Sequence, residues 1–404
     1  METKIQSSKA KLWTRSYVLM LFSNLFIYLA FYMLTPTLPA YAKAIGGSNL
    51  EASLVVSTFS ITSLLIRLFT GSIMDKIEIK PLLIIGAIIL AGSTLSFIWL
   101  PLDAIIFVRI IQGIGWGLAS TGAAVIFSDI IPANKRGEGM GYYSLSMIIS
   151  MALSPMFAII IMNLYSFKNI AITSIALVVI GILFLSQVKI PKKTLEGHKS
   201  KEKFSLADSF EKKAALPSML CFLLVITLCG IMSYIMLYGK ELKMTSIWIY
   251  FVGFVSIILV TRPFVGKIFD KKGHIVIIIP GSISIIIGLI LLSYANSINA
   301  LIVASLFYGI GYGAVQPSLQ AWAVNRSPGD RKGAANGTFL SSMDLAYTVG
   351  SIILGSIAGY RGYASMYRFS SIFIVLLLII YSCNLVKGDI NLRKDLRKEK
   401  EVVA

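Results

Sequence analysis

Apolar runs of about 20 residues follow one another from one end of this chain to the other, which is the length at which a single helix crosses a hydrocarbon layer of ~30 Å. Backbone placed in hydrocarbon must satisfy its own N–H and C=O groups, so only helices and closed barrels are open to such a chain. Twelve runs are read, at 17–40, 51–74, 81–101, 104–128, 138–163, 168–188, 217–239, 245–268, 274–295, 298–324, 333–359 and 364–386. All are far longer than the ~9–11 residues of a membrane-spanning strand. The expected fold class is therefore an all-α membrane protein with twelve transmembrane helices. The first run is too long for the apolar core of a secretory signal, and no small-residue cleavage site follows it, so it is counted as the first spanning helix.

The charge pattern supports this. Charged residues make up 14% of the 404 residues, against about 25% in soluble domains. The net charge of +18 invites a nucleic-acid partner, but its placement excludes one. With an inside N-terminus and alternating loops, 28 of the 37 Lys and Arg fall in inner segments and six in outer loops, leaving Arg67, Arg109 and Arg262 within helices. That is the positive-inside bias, which predicts a multi-pass protein of the cell membrane with both termini cytoplasmic. The three cysteines, Cys221, Cys229 and Cys383, sit in apolar runs and read as packed thiols. The two histidines, His198 and His274, lie far apart in loops, so no catalytic or metal-binding cluster and no cofactor is expected.

The chain repeats itself at half its length. GSIMDK at 71–76 returns as GKIFDK at 266–271, each four residues after an arginine, Arg67 or Arg262. RIIQGIGWG at 109–117 returns as SLFYGIGYG at 305–313, and RGEGMG at 136–141 as KGAANG at 332–337. The offsets are 195, 196 and 196 residues. Parallel six-helix repeats of this kind build transporters. The expected division is an N-terminal six-helix bundle over 1–188, a cytoplasmic linker over 189–216, and a C-terminal six-helix bundle with a basic tail over 217–404. In the linker, Ser205 and Asp208 resemble a capping box, and Leu206 and Phe210 share a face. A short helix on the inner membrane surface is predicted there.

These motifs resemble those of the major facilitator superfamily over the whole chain. Gly71, Asp75 and Lys76, with Lys80 further on, are similar to that family's signature between helices 2 and 3. The glycine expected two residues after the basic one is Glu78 in the first copy. The second copy, Gly266, Asp270, Lys271, keeps it as Gly273. Arg109, Gln112, Gly113 and Gly115 resemble the helix 4 motif. Ser150, Ser154, Pro155 and Ala158 resemble a degraded form of the helix 5 antiporter pattern, and TPTLPAYAKAIG in helix 1 resembles the drug:proton antiporter branch. The resemblance implies the major facilitator fold, two pseudo-repeats that rock about a central site, and a monomer.

The resemblance also assigns candidate residues. Asp75 is expected to dock against the start of helix 11 and Asp270, by symmetry, against the start of helix 5, where free N–H groups favour a carboxylate. Arg67 and Lys76 are available to pair with these acids. Arg67, Gly71, Asp75, Lys76, Arg262, Gly266, Asp270 and Lys271 thus form an expected two-part latch on the cytoplasmic side; solvated turn charges are the alternative. Arg109 lies about five residues into helix 4, where the family links an arginine to proton coupling, unless it snorkels to the outer surface. Asp344 falls ~16 Å into helix 11 at 1.5 Å per residue, close to the midplane. A carboxyl there can carry a proton, bind a cationic substrate or serve as a neutral structural acid.

Helices 1, 4, 7 and 10, which line the cavity in this fold, carry polar and aromatic residues spaced by three and four. Asn24, Tyr28, Tyr32, Gln112, Trp116, Tyr234, Tyr308, Tyr312, Gln316 and Gln320 are the expected cavity lining. Such a wall suits a moderately apolar organic molecule, whereas tyrosines near helix ends also form interface belts. The glycine pairs Gly113/Gly117 and Gly309/Gly313, and the set Ser351, Gly355 and Gly359, are expected to serve close helix packing. No GxxxxGK loop is present, which argues against ATP as the energy source. The function expected is proton-coupled efflux of a small organic molecule by a secondary transporter, not an enzyme. Proton-coupled nutrient uptake is the alternative, and a membrane receptor or intramembrane enzyme is the remote one.

Overall fold

A computed structural model describes residues 11–74, 78–132, 135–190, 210–328 and 332–403. Among these residues the secondary structure is helical, with no strand. The first six helices are α1 (Arg15–Ala44), α2 (Asn49–Met74), α3 (Ile79–Ser96), α4 (Leu102–Ile130), α5 (Arg136–Leu164) and α6 (Phe167–Ser186). A 3-10 turn, Lys212–Ala214, leads into α7 (Ala215–Glu241), α8 (Ile249–Lys272), α9 (Ile275–Ser293) and α10 (Ile298–Arg326). The last helical run, Lys332–Val403, breaks at Gly362 (φ 78°, ψ 166°), a conformation that costs glycine nothing. Its limbs are α11 (332–361) and α12 (363–403).

Among the described residues eleven α-helical runs follow one another, the last of them broken at Gly362. Length and apolarity alone mark ten membrane spans among the described residues; one of them, Ala334–Leu385, contains both α11 and α12. The helix they pass over is α8, whose described residues give a shorter apolar stretch, Ile249–Arg262. The expected surface helix near 205 lies outside the described residues, except for Phe210.

Local chemistry sets the helix ends and kinks. Thr14 caps α1 by accepting from the Tyr17 N–H (3.2 Å), and Ser297 caps α10 by accepting from the Ala300 N–H (3.3 Å). Prolines inside α1, α5, α9 and α10 are tolerated because neighbouring helices and hydroxyls cover the disturbed backbone. Between Pro36 and Pro39, Thr37 donates to the Met33 carbonyl at 2.7 Å. The departure at Glu78 also has a local cause. Gly273 ends α8 at φ 73°, whereas Glu78 precedes α3 with φ −62° and ψ 123°, a backbone that needs no glycine.

The packing follows the repeat. α4 lies against α2 and α3, and α10 against α8 and α9. α1 packs on α5 and α6, and α7 packs on the α11–α12 run. The same glycine pair draws both sets together: Gly86 meets Gly115 between α3 and α4, and Gly281 meets Gly311 between α9 and α10. Contacts between halves are α2 with the last run, α5 with α8, and α1 with α7. α7 is buried along most of its length, while Phe107, Leu183, Val260 and Ile379 project outward, as side chains in contact with lipid would.

Candidate functional site

The two faces of the bundle differ in what joins the halves. The far face carries the turns at 45–48 and 242–248; the near face carries the start of α1. Towards the far face, Ser53 of α2 lies 2.9 Å from the Tyr234 hydroxyl of α7, and Tyr234 donates to the Ser351 carbonyl of α11 at 2.7 Å. A Cβ on Gly359 of α11 would stand 2.6 Å from the Asn49 amide of α2, and one on Gly355 would collide with Ser53. Asn163 of α5 donates across to the Thr245 carbonyl at 3.2 Å. Tyr234, expected in the cavity wall, is therefore part of this closure. Its hydroxyl is engaged by two neighbouring helices.

Deeper in the bundle, aromatic side chains fill the junction. Phe31 stacks on Trp116 at 3.8 Å, and Tyr28 meets the same indole edge-on at 4.8 Å. In the second half Tyr308 and Tyr312 stack at 6.2 Å, and Phe254 sits against both. Phe31, Phe59 and Phe254 escaped the sequence reading because an apolar ring in an apolar helix carries no polar signal. The repeat itself was the available clue: Phe59 and Phe254 are 195 residues apart, and Trp116 and Tyr312 are 196 apart.

An ion pair between the halves lies beside these rings. Arg67 Nη1 of α2 stands 3.4 Å from Asp344 Oδ2 of α11, and Arg67 Nη2 donates to Ser120 Oγ of α4 at 3.2 Å. Tyr28 and Tyr32 are within electrostatic reach of both charges. The pair is only partly satisfied: Asp344 Oδ2 and Arg67 Nε are buried without a hydrogen-bond partner. Sequence reasoning offered Arg67 to the turn acids; its recorded partner among the described residues is Asp344. Asp75 and Lys76 lie outside the described residues. Gly71 falls in α2, and Gly266, Asp270 and Lys271 fall in α8.

Arg109 does not snorkel outward. It is 6% exposed; its Nε donates to the Val55 carbonyl at 2.7 Å, its Nη1 donates to Gln112 Oε1, and its guanidinium lies 4.1 Å over the Phe59 ring. Gln112 Nε2 passes the chain on to Thr94 Oγ1 at 2.9 Å. Arg109 and Gln112 thus tie α2, α3 and α4 together. Asn24 similarly joins α1 to α5 through Ser146 Oγ (2.9 Å), and Tyr308 joins α10 to α7 through Thr227 Oγ1 (2.9 Å). Gln320 reaches Asn336 at 3.0 Å. Of the expected wall, Tyr28, Tyr32, Trp116, Tyr308 and Tyr312 lie around the junction, and Gln316 is mostly buried.

An apolar pocket of 590 Å³ opens between α2, α7 and α11, lined by Leu64, Phe210, Met219, Phe222, Ser341 and Leu345 among others. Its wall shares α7 with the expected cavity and adds α2 and α11. Ser341 and Leu345 place it within a turn of Asp344.

This helical arrangement, with α2 packed on the last run, α5 on α8 and α1 on α7, has known counterparts. The sequence model of the Major Facilitator Superfamily matches residues 20–341 and 277–401. The chain belongs to the major facilitator superfamily. An uncharacterized MFS-type transporter of Methanocaldococcus jannaschii is 27% identical over 360 residues, 86% of this chain and 92% of that protein. The quinolone resistance protein NorA of Staphylococcus aureus is 23% identical over 350 residues, 84% of this chain and 89% of NorA. Among solved structures, the D323A mutant of the nucleoside transporter NupG superposes with a TM-score of 0.73 at 16% identity, over 91% of this chain and 99% of NupG. The chain is thus a multi-pass membrane transporter of a small molecule.

Proposed function

We propose that this transporter exports a small, partly apolar organic molecule across the cell membrane in exchange for protons, with both termini cytoplasmic. The observation that carries the reading is the Arg67–Asp344 ion pair, which joins α2 to α11. With the far face closed, ionised Asp344 holds α11 to α2. Taking up a proton removes the carboxylate charge and loosens that tie, so the halves can part; releasing the proton restores it. Breaking a partly buried pair by neutralising one member leaves the other charge uncompensated, which gives the proton leverage over the conformation. Arg109 supports the coupling by fixing α2, the helix that carries Arg67. The turn residues Asp75, Lys76, Asp270 and Lys271, with Gly71 and Gly266, act as the near-face latch, and Arg67 acts one turn deeper. Export rather than uptake is supported by the likeness to NorA.

Reconstituted vesicles test this. With an acidic lumen and a panel of quinolones outside, wild-type protein accumulates a substrate inside while protons leave. Asp344→Asn abolishes the proton movement but retains gradient-independent exchange, and Asp75→Asn lowers both rates. Accumulation driven by an acidic exterior would identify symport, and proton movement unchanged in Asp344→Asn would end the coupling role.

A further inference from the structure

We propose that Arg262 is an anion-binding subsite and that the transported molecule carries a carboxylate or similar negative group. This rests on the reading of the junction as the transport site. Arg262 is the counterpart of Arg67, 195 residues on, in α8. The two arginines have unequal surroundings. Arg67 has Asp344 as counter-ion and Ser120 as acceptor. The position equivalent to Asp344, 196 residues earlier, is Ile148 of α5, a buried apolar residue packed in the core of the second half. The position equivalent to Ser120 is Gln316, mostly buried. No ion pair or hydrogen bond joins Arg262 to another described residue, and its Nε is sealed from solvent without an acceptor.

A guanidinium is always charged and carries five donors in a planar fork. Removing it from bulk water without a counter-ion is costly, and charged groups inside a membrane are almost always paired. Arg262 is thirteen residues from the start of α8 and ten from its end, about 20 and 15 Å of helix at 1.5 Å per residue. A ligand can supply the counter-ion that the described residues do not. The neighbours fit an amphiphilic anion: the Tyr312 hydroxyl lies within electrostatic reach of Arg262, Tyr312 also neighbours Tyr32 of α1, and Gln316 offers an amide one turn further along α10. Carboxylate on guanidinium, with the apolar body against Tyr312 and Phe254, satisfies both ends of such a molecule. The two halves then divide the work. Arg67 carries an internal counter-ion that a proton can neutralise, and Arg262 leaves room for the counter-ion that the cargo brings.

The test uses full-length protein in lipid nanodiscs and three matched probes, 2-naphthoate, 2-naphthamide and 2-naphthylmethylammonium, with binding followed by calorimetry. Wild type binds naphthoate in preference to the other two. In Arg262→Gln naphthoate binding weakens roughly ten- to a hundredfold, the loss of a charge-assisted pair, and the preference for carboxylate over amide disappears. Arg262→Lys restores part of that preference, which separates a binding role from a folding one, and monodispersity of each variant is checked first. Naphthoate binding that is unchanged in Arg262→Gln, absent in wild type, or no stronger than that of the amide overturns the proposal. Vesicle flux distinguishes the two readings. Probe flux indifferent to Arg262→Gln sinks the subsite and leaves transport standing, whereas Arg262-dependent binding without flux sustains the subsite and removes its place in transport.

Discussion

At the scale of single residues, the same side chain takes its meaning from its partner. Arg67, Arg109 and Arg262 are all arginines inside helices, yet one holds a carboxylate, one spends its donors on a carbonyl, an amide and a ring face, and one has no partner recorded. Sequence singled out all three, because an ionisable group in an apolar run is conspicuous. It paired Arg67 with nearby turn acids because proximity along the chain is all a sequence offers; α11 supplies Asp344 from 277 residues away. The pair predicts a coupled thermodynamic cycle. Asp344→Asn alone strands the Arg67 charge and costs about 1–3 kcal/mol, below the ~3–5 kcal/mol of a fully buried broken pair because both side chains keep some exposure. Adding Arg67→Gln restores much of that loss, so the double variant unfolds at a higher temperature than Asp344→Asn in the same detergent. Additive losses from the two singles would mean that the residues do not act as a pair.

At the scale of helices, small residues decide where the halves can touch. Gly355 and Gly359 put α11 directly on Asn49 and Ser53 of α2, and there is no room for a side chain at either position. The small-residue spacing was readable in the sequence. Which helix it would face was not, because every apolar helix offers a comparable surface. Gly359→Leu should therefore obstruct closure of the far face. Overpacking costs about 1–3 kcal/mol, which moves a two-state equilibrium by about tenfold or more. Spin labels at positions 163 and 245, on the two sides of the far face, report the change once the exposed Cys383 is replaced. The distance distribution is expected to move from a short to a long population in the leucine variant. An unmoved short population would show that this contact does not limit opening.

At the scale of the whole molecule, stability and pH are linked through a residue that the sequence reading left in a loop. His274 caps the approach to α9, stacks on Trp322 of α10 at 4.4 Å, and shares a 2.5 Å hydrogen bond with the Tyr381 hydroxyl of α12. Burial, and secondly the charge of Arg326, push its pKa below the ordinary 6.5. The folded protein therefore takes up this proton less readily than the unfolded chain. Its stabilising contribution is complete above pH 6.5 and fades as pH falls below that value. The unfolding temperature of wild type is expected to drop between pH 7.5 and pH 5.5 by more than that of His274→Phe; equal drops would remove His274 from the cause. The sequence by itself determined the class of molecule: apolar runs too long for strands, an inside excess of positive charge, and motifs repeated at half the chain length leave little besides two sets of six helices, and so a transporter. These are properties of a helix and its solvent, and each helix states them alone. Only the tertiary structure decided which charges meet, that Tyr234 closes a face, and that Arg109 turns inward. Those outcomes depend on which faces of distant helices are pressed together, and a spacing of three or four residues marks a face without naming its neighbour.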